Sequence, residues 1–192
     1  MRNSMKLLTS ALVLATLAAC NKGTDEAATP AISSEPADVA PVADAPASSL
    51  VPMQAGITPL DLAQLSSATA TKAPCSIDRI GGQLVGEQAI PLAVGANVLF
   101  QGWISNPSLQ APEAFAVVLT GAQAYAIRGT AGGERPDVAR ILKQEGLTKS
   151  GFNVNSKFDG VAPGEYAVSF IQDDKGATIQ CPTSARIVVS AP

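Results

Sequence analysis

Residues 165–181 read EYAVSFIQDDKGATIQC. Tyr166, Val168 and Phe170 recur at every second position, the period of a strand with one buried face. Asp173-Asp174-Lys175-Gly176 then supplies a turn, and 177–181 (ATIQC) reads as the returning strand. A hairpin of this kind commits its neighbourhood to antiparallel β-structure.

The same pattern spreads outward from the hairpin. Residues 75–80 (CSIDRI) alternate and stop at Gly81-Gly82. Residues 97–104 (NVLFQGWI) and 115–119 (FAVVL) are apolar runs that end in turn residues. Residues 124–128 (AYAIR), 151–158 (GFNVNSKF) and 185–190 (ARIVVS) complete the set, with Phe152, Val154 and Ser156 sharing a face. All eight aromatics lie between Phe100 and Phe170, which places the core in this stretch. Seven or eight short strands divided by Gly and Pro turns predict an antiparallel β-sandwich over 74–192. One segment breaks the pattern. In 136–144, Asp137, Val138, Ile141 and Leu142 recur at helical spacing. Pro136 suits the first helical position, Asp137 the positive end and Gly146 the stop. One short crossover helix is expected there.

Composition removes several functions. The 192 residues contain no histidine, so no Ser-His-Asp or Cys-His pair and no HExxH zinc site can be built. The net charge is −3 with no basic cluster, which leaves no electrostatic footprint for nucleic acid. Gly81-Gly82 and Gly132-Gly133 lack the GKS and βα context of a phosphate loop. Asp173-Asp174 belongs to a turn and does not make a calcium loop. Glu134, Asp137 and Glu145 sit on or near one helix, where nothing sets two carboxylates across a cleft for glycoside hydrolysis. A non-enzymatic protein without a cofactor is expected.

The N-terminus reads as a targeting signal. Arg2 and Lys6 precede an apolar run over 7–17 that is too short to span a bilayer. It ends in Leu17-Ala18-Ala19-Cys20, which resembles the bacterial lipobox. That resemblance implies removal of 1–19 and diacylation of Cys20. Asn21 in place of Asp at the next position implies the outer membrane. Residues 20–73 are expected to be a disordered tether. Pro30, Pro36, Pro41, Pro46 and Pro52 recur among Ala, Ser and acidic residues, and such a chain cannot offset its ordering entropy. Within it, Thr58-Pro59-Leu60-Asp61 reads as a helix start, with Thr58 as N-cap and Pro59 in the first turn.

Cysteine use supports one closed unit. Cys20 is taken by lipid, leaving Cys75 on the first strand and Cys181 near the last. In an exported chain these two are expected to form a disulfide.

Four spaced elements carry a further resemblance: Gly102-Trp103, Arg135-Pro136-Asp137-Val138-Ala139, Gly151-Phe152 and Pro163-Gly164-Glu165-Tyr166. In this order they are similar to an immunoglobulin-like module of bacterial envelope proteins, found beside membrane glycosyltransferases and surface-polysaccharide proteins. Asn106 stands where that pattern usually has Asp. The resemblance implies an Ig-like sandwich and an envelope setting, and it transfers no catalytic residue.

The candidate ligand residues are Trp103, Arg135, Asp137 and Tyr125. Trp103 offers a face on which a sugar ring can stack; its apolar strand favours instead a core tryptophan between the sheets. Arg135 with Asp137 could clasp a polar ligand or fix the crossover as an ion pair. Tyr125 and Tyr166 could offer phenols to a glycan or line the core. The expected function is a lipid-anchored module that binds an envelope glycan or envelope protein. Two alternatives are an inhibitor that blocks a peptidoglycan enzyme or a phage, acting through an exposed loop at 130–135, and a structural accessory of a secretion or pilus machine.

Overall fold

The computed structural model describes residues 53–191. The signal segment, Cys20 and the tether as far as residue 52 lie outside the described residues. The described elements run β1 (Met53–Ala55), β2 (Ile57–Leu60), α1 (Leu62–Ser66), β3 (Thr69–Ala70), β4 (Cys75–Ile80), β5 (Gln83–Leu84), β6 (Ile90–Ala93) and β7 (Asn97–Ile104). They continue with β8 (Phe115–Thr120), β9 (Ala124–Gly129), α2 (Pro136–Leu142), β10 (Gly151–Lys157), β11 (Gly164–Asp174) and β12 (Ala177–Ser190). One sheet has the order β1-β10-β7-β4-β5; the other has β2-β9-β8-β11-β12-β3, with β6 also paired to β12. The two sheets form an Ig-like β-sandwich with α2 in the crossover between β9 and β10. Most pairs are antiparallel; β1 on β10, and β3 and β6 on β12, are parallel.

The hairpin that opens the sequence reading is the longest pairing. Lys175 (φ 54°) and Gly176 (φ 82°) both take the left-handed conformation that a tight two-residue hairpin needs. The returning strand is longer than expected. It runs unbroken to Ser190 through Pro182, where the register shifts between Ala167 and Ser169 of β11. A bulge is a place where a strand tolerates a proline that has no N–H to give.

Facing side chains of the two sheets fill the core. Phe115, Phe152 and Phe170 form a triangle with ring centroids 4.9, 5.4 and 5.7 Å apart. Beside β11, the Tyr166 hydroxyl donates to the Ala162 carbonyl at 2.7 Å, four residues upstream. This is the tyrosine corner of Ig-like sandwiches, and it explains the Pro163-Gly164-Glu165-Tyr166 element. Gly164 turns the chain there at φ 155°. Cys75 and Cys181 are bridged, with Cα atoms 6.5 Å apart and a sequence separation of 106.

Three expectations are corrected. The first concerns the tether, whose last part is folded. Residues 53–70 form a belt around the sandwich. β1 closes the β10 edge of one sheet and β2 closes the β9 edge of the other. α1 then lies beside the second sheet, where Leu62, Leu65 and Ser66 share a surface depression with Thr120, Ala167 and Ser169, and β3 ends on the opposite edge against β12. Val117 and Leu119 belong to the core cluster, yet Val118 on the opposite face is also fully buried. Leu65 of α1 is buried as well. The second correction is local to the belt. Thr58 is not a helix cap; it lies in β2, and its hydroxyl donates to the Ala126 carbonyl. Asp61 is the N-cap of α1, accepting from the Ala63 N–H at 2.8 Å. Pro59 is tolerated because β2 is an edge strand.

The third correction concerns α2. It stops at Lys143, which takes a left-handed φ of 55°, and Gly146 lies in the following 3-10 turn, Glu145–Leu147. Val138 is buried on α2, whereas Ile141 is 73% exposed.

The belt yields a test of the domain boundary. A fragment starting at Lys72 is expected to be less stable than one starting at Met53 by about 3 kcal/mol or more, since two apolar side chains alone contribute about 1.5–3 kcal/mol each. Urea denaturation of both fragments measures this, and equal midpoints and slopes would reject the belt.

Candidate functional site

The outer face of the first sheet collects the polar residues of three strands. Along β7, Val98, Phe100, Gly102 and Ile104 point into the core, so Gln101 and Trp103 point out. The core position expected for Trp103 is therefore corrected. The side chain is half-buried on the outer face and does not belong to the core cluster. Only Asn97 and Gln101 interrupt the otherwise apolar or small run 97–104, which masked its alternation. Position 102 requires glycine because any Cβ there would collide with the Ser76 carbonyl oxygen of β4.

Trp103 is flanked by small residues. In register it lies between Ser76 of β4 and Gly151 of β10. A Cβ at Gly151 would meet the Arg135 Cγ at 2.9 Å and the Gly133 carbonyl oxygen at 2.9 Å. Glycine at 151 thus lets the Arg135 stem cross β10 beside the tryptophan. One step along the strands, Gln101 opposes Asn153, and its Nε2 donates to the Asn153 Oδ1 at 3.2 Å.

Arg135 joins two elements. Its Nε and Nη2 donate to the Asp137 carboxylate at 3.0 and 2.9 Å. Its Nη1 donates to Asp78 of β4 at 2.8 Å, and Ser76 Oγ donates to the other Asp78 oxygen at 2.9 Å. Asp78 reaches this position through a bulge. The register of β4 against β7 shifts between Ile77 and Arg79, so Ile77 and Ile80 both point inward and Asp78 is turned toward Arg135. A strict alternation over 75–80 would have put Arg79 in the core. Burial opposes the Arg135 charge, but hydrogen bonds and attraction from Asp137 and Asp78 outweigh it and raise its pKa above the ordinary value. The hydrogen bond from Arg135 holds the Asp137 carboxyl below the ordinary 3.8. The Arg135 side chain keeps 17% exposure, Asp137 28% and Asp78 39%, so the triad is a half-open charge cluster.

The crossover loop is pinned beside it. Gly133 exchanges backbone hydrogen bonds with Gly151 at 2.8 and 3.0 Å, and the Arg135 N–H donates to the Thr148 carbonyl. The segment 130–135 is therefore pinned through Gly132, Gly133 and Arg135, while Thr130 and Glu134 stay exposed.

Of the sequence candidates, Trp103, Arg135 and Asp137 come together on this face, and Tyr125 does not. Tyr125 is buried, packs edge-on against Tyr166 at 5.9 Å, and accepts from the Ala162 N–H at 3.0 Å while donating to Gln123. Burial raises the Tyr166 pKa, with the neighbouring Tyr125 adding to the shift. The residues that sequence reasoning missed are Ser76, Asp78, Gln101 and Asn153. The alternation of 97–104 carried the signal for Gln101; nothing in the sequence signalled the bulge at Asp78.

Protein-family models gave no match to this chain, and curated protein sequences gave none either.

The triad sets a pH-dependent test. A carboxyl with a lowered folded pKa stabilises the fold fully above the unfolded value of 3.8 and loses that contribution as pH falls through the folded value. Arg135→Lys cannot grip two carboxylates with a planar fork and is expected to cost about 1 kcal/mol at pH 7. The deficit in melting temperature should shrink below pH 3.8. A deficit that is absent at pH 7, or unchanged at pH 3, would remove the triad from the stability of the crossover.

Proposed function

We propose that this chain is a non-enzymatic lipoprotein of the bacterial envelope whose Ig-like module binds an envelope glycan on the outer face of the β1-β10-β7-β4-β5 sheet. The observation that carries the reading is the outward, half-buried Trp103 set between Ser76 and Gly151. With the Arg135 stem lying over Gly151 on one side and the small Ser76 on the other, the exposed part of the indole can accept the apolar face of a sugar ring. A planar amide and carboxylates beside it suit the ring hydroxyls, and Gln101, Asp78 and Asp137 provide these groups. Arg135 acts as a positioning residue. Its bonds to Asp78 and Asp137 hold both carboxylates in place at the rim of the tryptophan.

The envelope setting rests on the sequence. Leu17-Ala18-Ala19-Cys20 supplies the lipid attachment, and Asn21 favours the outer membrane. Acyl chains contribute about 0.8 kcal/mol per buried methylene, so two or three of them hold a protein on a bilayer without a spanning segment. The proline-rich stretch up to residue 52 then acts as a spacer.

Two measurements bear on this. Trp103 is the single tryptophan, so its fluorescence reports the site directly. Glycan fragments released from the native envelope should shift or quench it saturably, and Trp103→Ala should weaken binding about tenfold or more, as loss of a stacking platform does. A flat titration would sink the glycan reading and favour an envelope protein as partner. Separately, Cys20→Ser should release the protein from the membrane fraction, and continued retention would refute the lipid anchor.

A further inference from the structure

The face that carries Trp103 continues toward the edge of its sheet. In register, Gln101 of β7 opposes Arg79 of β4, and Arg79 opposes Leu84 of β5. Directly opposed residues of an antiparallel pair share a face. Gln101 points outward, so Arg79 and Leu84 extend the same outer face. The bulge in β4 keeps Arg79 there, because it leaves Asp78 and Arg79 both outside while Ile77 and Ile80 are buried. Trp103 opposes Ser76, so Arg79 lies one strand over and two residues along from the indole. On ordinary sheet spacings that is roughly 8 Å between Cα atoms, a step that two linked sugar rings span.

The two arginines of this face differ. Arg135 is engaged by Asp78 and Asp137. Arg79 is exposed and forms no ion pair among the described residues. Its Nη1 donates to the Gly82 carbonyl at 3.1 Å, which anchors the guanidinium at the turn between β4 and β5. The other N–H groups of its fork make no hydrogen bond among the described residues. The acid next to it in sequence, Asp78, is turned to Ser76 and Arg135. Leu84 stands beside Arg79 with 68% of its surface exposed and takes no part in the core. An anchored, unpaired guanidinium matches a planar carboxylate, and the leucine next to it offers apolar contact.

From these features we infer that Arg79 and Leu84 form a second subsite that takes a uronic-acid residue, so that the glycan is an acidic polysaccharide. The inference rests on the glycan reading of Trp103 and names the class of glycan. One sugar ring stacks on the indole. The carboxylate of the neighbouring ring pairs with Arg79, and Leu84 covers the apolar edge of that ring. The direction follows from charge. Arg135 with Asp78 and Asp137 is one cation against two carboxylates, so the Trp103 end repels an acidic group and Arg79 attracts it.

The test follows Trp103 fluorescence of the full chain at neutral pH. The probes are glycan fragments released from the native envelope and separated by anion exchange into acidic and neutral pools. Part of the acidic pool is treated with a carbodiimide and borohydride, which reduces each carboxyl to a primary alcohol and leaves rings and linkages in place. The acidic pool should bind about fivefold more tightly than its reduced form, the ratio that one exposed ion pair of about 1 kcal/mol gives. Arg79→Gln should erase that difference, and with it the weakening of acidic-pool binding by salt, while binding of the reduced pool stays unchanged. Arg79→Glu should weaken the acidic pool further. Arg79 lies outside the core, so both variants are expected to keep the parent melting temperature. A purely structural role for Arg79 predicts instead that binding of both pools falls together, which would overturn the subsite. Binding that is lost in Trp103→Ala but indifferent to carboxyl reduction, or undiminished in Arg79→Gln, would overturn the subsite and leave the glycan reading standing. A flat titration with every pool would overturn both.

Discussion

An edge strand presents a row of N–H and C=O groups that must be paired, covered or left as a template for aggregation. The sandwich described by residues 53–191 meets this constraint with its own N-terminal segment. β1 and β2 close one edge of each sheet, and β3 closes part of the opposite edge of the second sheet. β6 takes the other part of that edge, along Ile187–Ser190 of β12, and the Cys75–Cys181 bridge fixes the chain between β3 and β6. The edges that remain are short. β5, at the far side of the first sheet, has only two residues. Val118 is buried on the face of the second sheet opposite the core.

The outer face of the first sheet depends on that closure and on one irregularity. The bulge in β4 turns Asp78 out of the strand pattern and toward Arg135. Glycine at 151 lets the Arg135 stem pass over β10, and the Gly133–Gly151 bridge holds the crossover loop flat against the strand. The result is a rigid charge cluster beside a half-buried indole. Three of the four elements that carried the resemblance, around Trp103, Arg135 and Gly151, meet on this face. The fourth serves the tyrosine corner. Two distinct physical demands therefore lie behind one spaced pattern.

The strands with a two-residue period were legible, and so was the helix over α2, because one face of each must be buried. The disulfide was legible from the count of cysteines. The belt was not. Its strands are two to four residues long and made of Thr, Ala, Pro and Met, and they are held by backbone pairing to a partner far away in sequence. No local pattern encodes such pairing. Trp103 was assigned to the wrong face for a related reason. An apolar run of eight residues reads as buried on both sides, and only the register with Ser76 and Gly151 shows which side is open.

The sequence by itself determined the class of fold, the place of the core, the crossover helix and the pairing of Cys75 with Cys181. It could do so because burial and chain closure leave periodic or countable marks in the residues. Tertiary structure alone decided that residues 53–70 complete the sandwich, that Trp103 faces outward, and that Asp78 joins Arg135. It also decided that the Gln172 amide is buried and donates to the Ser105 carbonyl. Each of these depends on which backbone lies beside which, and that is fixed only when both sheets are assembled.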